Sequence, residues 1–461
     1  MNNVIHKTVK FHLCSGCGIC AAVCPKNCLE MQFNVNGENN PVLIDDCVDC
    51  GLCVKMCPFS SDSEDANDLA KKLYADISNI KKTPETGYYL DAIVGHSGKC
   101  GHRENGASGG LATYTLETLL NKGMVDYVIC PGPNGNKEKL FKFNVCSTVE
   151  QIRSCSRSVY YPVEASEVIS YVLKKEGKYA IIGLPCLCKA VRQAQLEIPR
   201  LADRIKYVLG LVCGQQQSKF FAEYVCAIGG GDPKSLANIR FRVKDSNRPA
   251  SDFGMYFQCE SGKNKEGTIF WTEGMGQAWN DRYFTLNSCN FCDDIFAECA
   301  DAVFMDAWLP NYSSDWRGHS IVLLRNEELV PLVKNELVSY LKVFDIDIKD
   351  VIKSQQGVLD SKRKDIKERI RLSALEDQES SHVRKEMLKK QFEFAKDQVI
   401  ACQYEASKIT GQLWLQADKD IVKFNDSSNW LLDKISRAKK KYMKYRIPNA
   451  IIRRIVRKVI K

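Results

Sequence analysis

The sequence predicts a chain in three parts: a small α+β module, an α/β domain with a mixed, largely parallel sheet, and a helical C-terminal extension. Three observations carry this reading. Two cysteine strings of matching spacing fall within residues 1–62. Strand-like and helix-like segments then alternate from Tyr88 to about Lys349, the pattern of strands joined by helical crossovers. After Ile352 the chain turns charged and helical through Leu413.

The cysteine strings define the first part. Cys14, Cys17, Cys20, Cys24 and Pro25 form C-x2-C-x2-C-x3-C-P, and Cys47, Cys50, Cys53, Cys57 and Pro58 repeat it. A doubled run of this kind holds two [4Fe–4S] clusters in bacterial-type ferredoxins, where the fourth Cys of each run ligates the other cluster. The reading therefore groups Cys14, Cys17 and Cys20 with Cys57, and Cys47, Cys50 and Cys53 with Cys24, in a ferredoxin-like module that moves electrons. Gly16, Gly18 and Gly51 permit the tight turns, and each proline fixes φ after the last cysteine. The competing readings are a pair of zinc knuckles or a disulfide framework. Zinc sites pair their cysteines two by two. Disulfide scaffolds are small secreted domains, whereas this chain spreads 22 cysteines over 461 residues. Cys28 reads as a packed thiol.

No apolar-centred leader precedes Cys14, so export is not expected. No run approaches the ~18 apolar residues that cross a bilayer. A reducing cytoplasm suits so many thiols, and the length allows two or three domains.

After the module (1–62) comes an acidic linker (63–87) running into a short helix. The α/β domain (88–350) follows in order. LDAIVGHS reads as a strand, Leu111–Lys122 as an amphipathic helix and MVDYVICPG as a strand. EVISYVLKK is helical, GKYAIIGLPC a strand, AVRQAQL helical, KYVLGLVCG a strand and KFFAEYVCAIGG a helix. Met255–Glu260 and Thr268–Trp271 read as an inserted antiparallel hairpin. A helical extension (351–430) and a basic tail (431–461) complete the chain.

Within the α/β domain a second cysteine set stands at strand ends. Cys186 follows IIGLP, Cys213 closes LGLVC, and Cys289 and Cys292 form a C-x2-C pair ahead of ADAVFMDAW. Open α/β sheets place ligands at the carboxyl ends of strands, so these four can converge on a third [4Fe–4S] cluster. Cys188, Cys226 and Cys299 compete for the role, and buried cysteine is common in cores. The loop Arg103–Gly110 enters the helix at Leu111 with small residues, which lets backbone amides meet a phosphate; an ordinary tight turn is the alternative. His96, His102 and His319 lie near loops and are proton-transfer candidates, with structural roles as the alternative. Arg103, at the head of that loop, either balances phosphate charge or sits in solvent.

Taken in order, these landmarks resemble the coenzyme F420 hydrogenase/dehydrogenase beta-subunit family, in its long form with a fused two-cluster ferredoxin domain. The matching elements are Ala107–Gly110 (A-S-G-G), Ser158–Tyr160 (S-x-Y), Gly183–Cys186 (G-x-P-C), Val212–Cys213 and Cys289–Cys292. Ala300–Asp301, Asp306–Trp308 (D-x-W) and Gly318–Ser320 follow. The resemblance implies FAD in the α/β domain, a [4Fe–4S] cluster on Cys186, Cys213, Cys289 and Cys292, and a flavin border at Ser108, Gly109, Gly110, Ser158 and Tyr160. It implies an FAD-dependent iron–sulfur oxidoreductase that couples hydride chemistry to single-electron transfer through three clusters. Its partners would be a redox protein or soluble hydride carrier and a small-molecule substrate, with surface-polysaccharide synthesis as one setting. The alternative is an electron-transfer subunit that serves a partner enzyme and has no substrate of its own. Three departures touch the substrate side: Met305 replaces a glycine of relatives, Val159 replaces a lysine, and Cys213, Gly214 and Gln215 replace a Cys-His-Gly-like segment.

The tail is basic. Residues 431–461 hold twelve Lys or Arg and one acidic residue against a formal net charge of +9 for the chain, so the basicity is local. From Pro448, suited to a first helical turn, Ile451, Ile452, Ile455, Val456, Val459 and Ile460 recur at helical spacing. Arg453, Arg454, Arg457, Lys458 and Lys461 take the other side. Such a helix can lie on an anionic membrane surface, which would make the protein peripheral at the inner face; docking on a partner or fraying are the alternatives. No nucleic-acid partner is expected, because no aromatic platform accompanies the charge.

Overall fold

Two short helices anchor the cysteine strings, Ile19–Ala22 in the first and Leu52–Met56 in the second. Each is entered through a glycine in the left-handed region, Gly18 at φ +82° and Gly51 at φ +73°, where a Cβ is strained. Strands β1 (Leu29–Phe33) and β2 (Asn39–Leu43) pair antiparallel between them. The computed structural model describes residues 1–99, 101–335, 337–375 and 394–459; the side chains of 375, 394 and 446–459 lie outside the described set.

The stretch read as a linker holds the helix Ala66–Tyr74, capped by the Asp65 carboxylate, which accepts from the Asn67 and Asp68 amides at 2.8 and 2.9 Å. It also holds the hairpin β3 (Lys81–Thr83) and β4 (Gly87–Tyr89).

The α/β domain follows with β5 (Asp91–Ser97), β6 (Tyr127–Pro133), β7 (Phe141–Cys146), β8 (Tyr179–Gly183) and β9 (Ile205–Leu211). Next, β10 (Leu236–Val243), β11 (Gly254–Cys259) and β12 (Glu266–Phe270) make a separate antiparallel sheet, so the expected hairpin carries a third strand. The domain closes with β13 (Ala302–Asp306), β14 (Ser320–Leu324) and β15 (Leu341–Asp345). The eight-stranded sheet runs β15-β5-β14-β13-β9-β8-β6-β7. Its centre, β13-β9-β8-β6, is parallel, and both flanks are antiparallel. Every residue of β8 and β14 is buried, as expected of strands covered on both faces.

The extension ends in an αα-hairpin of Phe394–Gln416 and Ile421–Val459. It packs on the helix Phe220–Ile228, where the Trp414 indole donates to Glu223 at 3.1 Å and Trp414 and Phe424 stand edge-on to Tyr224. The second helix runs unbroken past residue 430, so Pro448 lies inside it and not at its first turn. The reason is upstream: Phe424, Leu431 and Ile435 are buried and propagate the helix before the proline is reached, although a proline there removes a backbone donor. The apolar and basic side chains expected to form two faces, Ile451 to Ile460 and Arg453 to Lys461, lie outside the described side chains. Among the described residues no helix is long and apolar enough to cross a membrane.

Arg325, fully buried, ties the layers together. Its guanidinium donates to the carbonyls of Tyr88, Ala297, Ala300, Thr86 and Phe296 at 2.7–3.1 Å. Replacing it by Met would take a charged donor from five carbonyls, of which that of Ala297 still accepts from the Ala300 amide at 2.8 Å. Arg325→Met is therefore expected to destabilise the protein by about 3–5 kcal/mol, measured as a lower urea midpoint; an unchanged midpoint would contradict this role.

Candidate metal and cofactor site

Folding sorts twelve of the cysteines into three groups. Cys57 is brought to Cys14, Cys17 and Cys20, each of which feels its charge. Cys53 likewise feels Cys50, Cys47 and Cys24. In the third group, Cys186 feels Cys213, Cys292 and Cys289, and also Cys17 of the first group. Burial pushes Cys17 and Cys213 up to about 12 each, and Cys14, Cys20, Cys57, Cys186 and Cys289 up with them. A cluster of buried thiols with raised pKa values is stable as thiolates only around metal, so the donor sets fit iron–sulfur chemistry.

Backbone amides point at the sulfurs, as such sites require. Gly16 donates to Cys14 at 3.3 Å, Val4 to Cys53 at 3.3 Å and Asp49 to Cys47 at 3.4 Å. The Thr8 hydroxyl lies 3.4 Å from the Cys57 sulfur. In the third group the Gln216 amide donates to Cys289 at 3.2 Å and the Lys362 ammonium to Cys292 at 3.1 Å. The Gln216 side chain donates to the Cys186 sulfur at 3.3 Å and to the Ser15 carbonyl at 3.5 Å. One glutamine thus joins the third group to the N-terminal module.

The third group assembles because the chain doubles back. Cys186 opens the helix Pro185–Glu197 directly after β8, and Cys213 follows β9. From Cys289 and Cys292 the segment 293–301 returns over β9 to start β13. Gly210 makes room for it: a Cβ there would stand 2.4 Å from the Ala297 methyl. The competing cysteines are used elsewhere. Cys188 donates to the Leu209 carbonyl at 3.5 Å, Cys226 lies 3.3 Å from Cys259, and Cys299 donates to the Ala66 carbonyl at 3.5 Å. Cys28 is buried, 3.4 Å from the Cys24 sulfur.

Beside the third group lies a cavity of about 510 Å³ that Cys186, Cys213 and Cys17 help to line. That volume is typical of small-molecule sites. Ser108, Gly110, Ser158 and Tyr160 line it, and Gly109 does not. A Cβ on Gly109 would come within 2.6 Å of the Gly95 carbonyl and the Ser320 amide, so this glycine serves strand packing. The helix Leu111–Asn121 starts at Gly110 with no side-chain cap, leaving first-turn amides for an anion. Tyr160 packs against Phe241 and Trp279 at ring-centroid distances of 5.4 and 5.0 Å.

Two cations that sequence reasoning missed hold this loop, the buried Arg242 and the half-buried Lys244. Arg242, on β10, donates to the Ala107 carbonyl at 3.1 Å and pairs with Asp306. Its guanidinium sits 3.9 Å from the Phe253 ring centroid and 5.4 Å from that of Trp308. The D-x-W element therefore grips an arginine. Lys244 donates to the carbonyls of Ser108 and Arg317 at 2.8 and 2.6 Å. Nothing in the local sequence around residues 236–244 marked either residue, because β10 shows no strong alternation. Arg157 and Arg242 both line the cavity, so positive charge is present although Val159 replaces a lysine of relatives.

Other candidates fall outside the cavity. Arg103 is buried, not in solvent, and donates to Asp315 at 2.9 Å and to the Gly318 carbonyl at 2.5 Å. His102 bridges Ser97 at 2.8 Å and Glu117 at 3.0 Å. His96 and His319 stand edge to face, centroids 5.1 Å apart, each with a buried Nδ1 that meets no partner among the described residues. None of the three histidines lines the cavity. A last group, Cys130, Cys146 and Cys155, has sulfurs mutually within 4.8 Å; no regular spacing announced it.

Comparison with known proteins matches this geometry to one family. Two models of the coenzyme F420 hydrogenase/dehydrogenase beta subunit fit the chain, the N-terminal one over residues 92–170 and the C-terminal one over residues 176–349. Residues 13–61 fit a 4Fe-4S dicluster domain. Among solved structures, a chain of the F420-reducing [NiFe] hydrogenase complex from Methanosarcina barkeri is similar, with TM-score 0.50 and 16% identity over 66% of this chain and 99% of that one. At that identity the likeness is one of fold. No curated protein matches the chain.

Burial, then the charge of Arg103, holds His96 down at about 4. An unfolded His titrates near 6.5, so between about pH 6.5 and 4 the unfolded chain binds a proton that the native one refuses. Stability from this group is intact above that window and falls as pH drops through it. His96→Gln should lose about 1–2 kcal/mol less than wild type between pH 7 and 4.5, allowing for screening. Parallel urea midpoints against pH check this; identical slopes would refute it.

Proposed function

From the premise that the chain belongs to the coenzyme F420 hydrogenase/dehydrogenase beta-subunit family, we propose that it is an iron–sulfur flavoprotein oxidoreductase with FAD and three [4Fe–4S] clusters. The carrying observation is that one cavity is lined by cysteines of the third group and by Ser15 and Cys17 of the N-terminal module. FAD, when bound, would exchange a hydride with the substrate and single electrons with the adjacent cluster.

The chain's own residues fit such a ligand. Ser108, Gly110, Ser158 and Tyr160 would border the flavin, and Gly109 would keep the loop against β5. Arg242 and Arg157 would face its negative charge together with the uncapped helix at Gly110. Tyr160, Phe253 and Trp279 supply an apolar wall that excludes water. Cys186, Cys213, Cys289 and Cys292 would ligate the third cluster, and Cys14, Cys17, Cys20 and Cys57 the next. Gln216 lies between these two sets. Cys47, Cys50, Cys53 and Cys24 would ligate the outermost cluster, where Cys50 is exposed. Ile44 and Val48, 54% and 55% exposed, stand there among the exposed Asp45, Asp46 and Asp49, a surface suited to a redox partner with basic residues.

Lys362 tunes the third site. It is fully buried, which disfavours its charge, and the charges of Cys292, Cys213 and Cys289 outweigh that and push its pKa up. A fixed positive charge beside a cluster favours the electron-rich state. Lys362→Met should therefore lower the midpoint potential of the third cluster and leave the other two unmoved in a redox titration followed by electron paramagnetic resonance. A uniform shift of all three would contradict the assignment.

The direct test is composition of protein purified without oxygen. About twelve irons and one FAD per chain are expected, falling to about eight irons in Cys213→Ala. About eight irons and no flavin in the wild type would overturn the proposal in favour of an electron carrier without its own substrate.

A further inference from the structure

Three cysteines outside the cluster cradles meet in the cavity wall. Cys130 lies on β6 and Cys146 on β7; β6 and β7 pair with Cys130 opposite Asn144 and Val128 opposite Cys146. This register makes Cys130 and Cys146 diagonal neighbours on one face of the sheet. Cys155 ends the helix Val149–Ser154, whose Thr148–Gln151 capping box fixes its start and so carries the third thiol back over that face. The three sulfurs lie mutually within 4.8 Å, and those of Cys130 and Cys146 are 3.8 Å apart. The space is reserved for them: a Cβ on Gly132 would stand 2.4 Å from the Cys155 sulfur.

We propose that Cys130, Cys146 and Cys155 bind a single thiophilic metal ion, zinc(II) or copper(I), in the wall of the cavity. The spacing fits that chemistry. Metal–sulfur bonds of about 2.3 Å set ligand sulfurs about 3.8 Å apart in a tetrahedron and about 4.0 Å in a trigonal plane. A disulfide needs sulfurs at about 2.0 Å and uses only two of the three. A cubane cluster needs four thiolates, and no fourth His, Cys, Asp or Glu among the described residues joins these.

An ion held by the trio would displace the thiol protons, because thiolate sulfur is the ligand. Three protein ligands leave a zinc ion one further position. Because Cys130 and Cys155 line the cavity, water or a cavity ligand would take it. Neither flavin nor the third cluster is needed for this reading, which stands apart from the proposed function.

The test uses full-length protein purified without oxygen, its iron intact, equilibrated in separate samples with zinc(II) or copper(I) and desalted. Elemental analysis should find one zinc or one copper per chain in addition to iron. X-ray absorption at that metal's edge should find three sulfur neighbours at about 2.3 Å. Cys146→Ser and Cys155→Ala should each lose the ion with iron content unchanged. Gly132→Ala, which removes no ligand, should retain it at least tenfold more weakly. Absence of any extra ion in the wild type, or its retention in both cysteine variants, would overturn the proposal. A mass lower by two with one free thiol left in the trio would overturn it as well, in favour of a disulfide.

Discussion

A thiol buried in protein keeps its proton unless positive charge lies beside it, because a bare thiolate gives up its hydration. That constraint organises this molecule. Burial raises Cys14, Cys17, Cys20, Cys57, Cys186, Cys213 and Cys289 together, so the first and third cradles suit a metal core that takes thiolates. Around the third cradle the protein adds charge of its own. Lys362 bonds Cys292, while Arg282 and Arg369, both buried, lie within electrostatic reach of Cys289 and Cys292. Each cation would be costly without its thiolates. Thiolate formation at this site would thereby couple to folding of the extension. Arg363 next to Lys362 reinforces the coupling through Glu298 at 2.9 Å and the Asp293 carbonyl at 3.1 Å.

The same constraint explains how the N-terminal module meets the α/β domain. Buried sulfurs need donors, and Gln216 serves both sides: its backbone bonds Cys289, and its side chain bonds Cys186 and the Ser15 carbonyl. Lys189, buried on the helix that carries Cys186, reaches the Pro58 carbonyl at 2.8 Å at the end of the second cysteine string. Cavity, third cradle and module are thus successive compartments of one interior, with the outermost cysteines at the surface. Arg242 closes the other end by joining the A-S-G-G loop to Asp306.

How much of this was legible in the sequence follows from where the determinants lie. The doubled cysteine run is local, and its pattern is enough to propose the exchange of Cys24 and Cys57. The strands were legible because strands buried on both faces are near-continuous apolar runs, as IIG of β8 and SIVLL of β14 are. Cys186, Cys213, Cys289 and Cys292 could be proposed because strand ends are predictable. What escaped was set by tertiary contact. Lys362 sits in a charged helical stretch, DSKRK, that reads as solvated. Arg242 lies on a strand paired through register shifts at Leu236/Asn238 and Arg240/Val243, which blur alternation. Cys130, Cys146 and Cys155 come together only through a strand register and a helix cap. Pro448 announced a helix start, but packing of Phe424, Leu431 and Ile435 decided otherwise.

On the proposed reading, three four-cysteine cradles and one cavity fit for a flavin would form a continuous redox interior. Anomalous diffraction at the iron edge, from crystals grown without oxygen, tests it most directly. The account predicts three separate iron groups, the third between the cavity and the N-terminal module with Lys362 against its Cys292 side, and flavin density beside Arg242. Iron confined to residues 14–57, with Cys186, Cys213, Cys289 and Cys292 unligated, would contradict it.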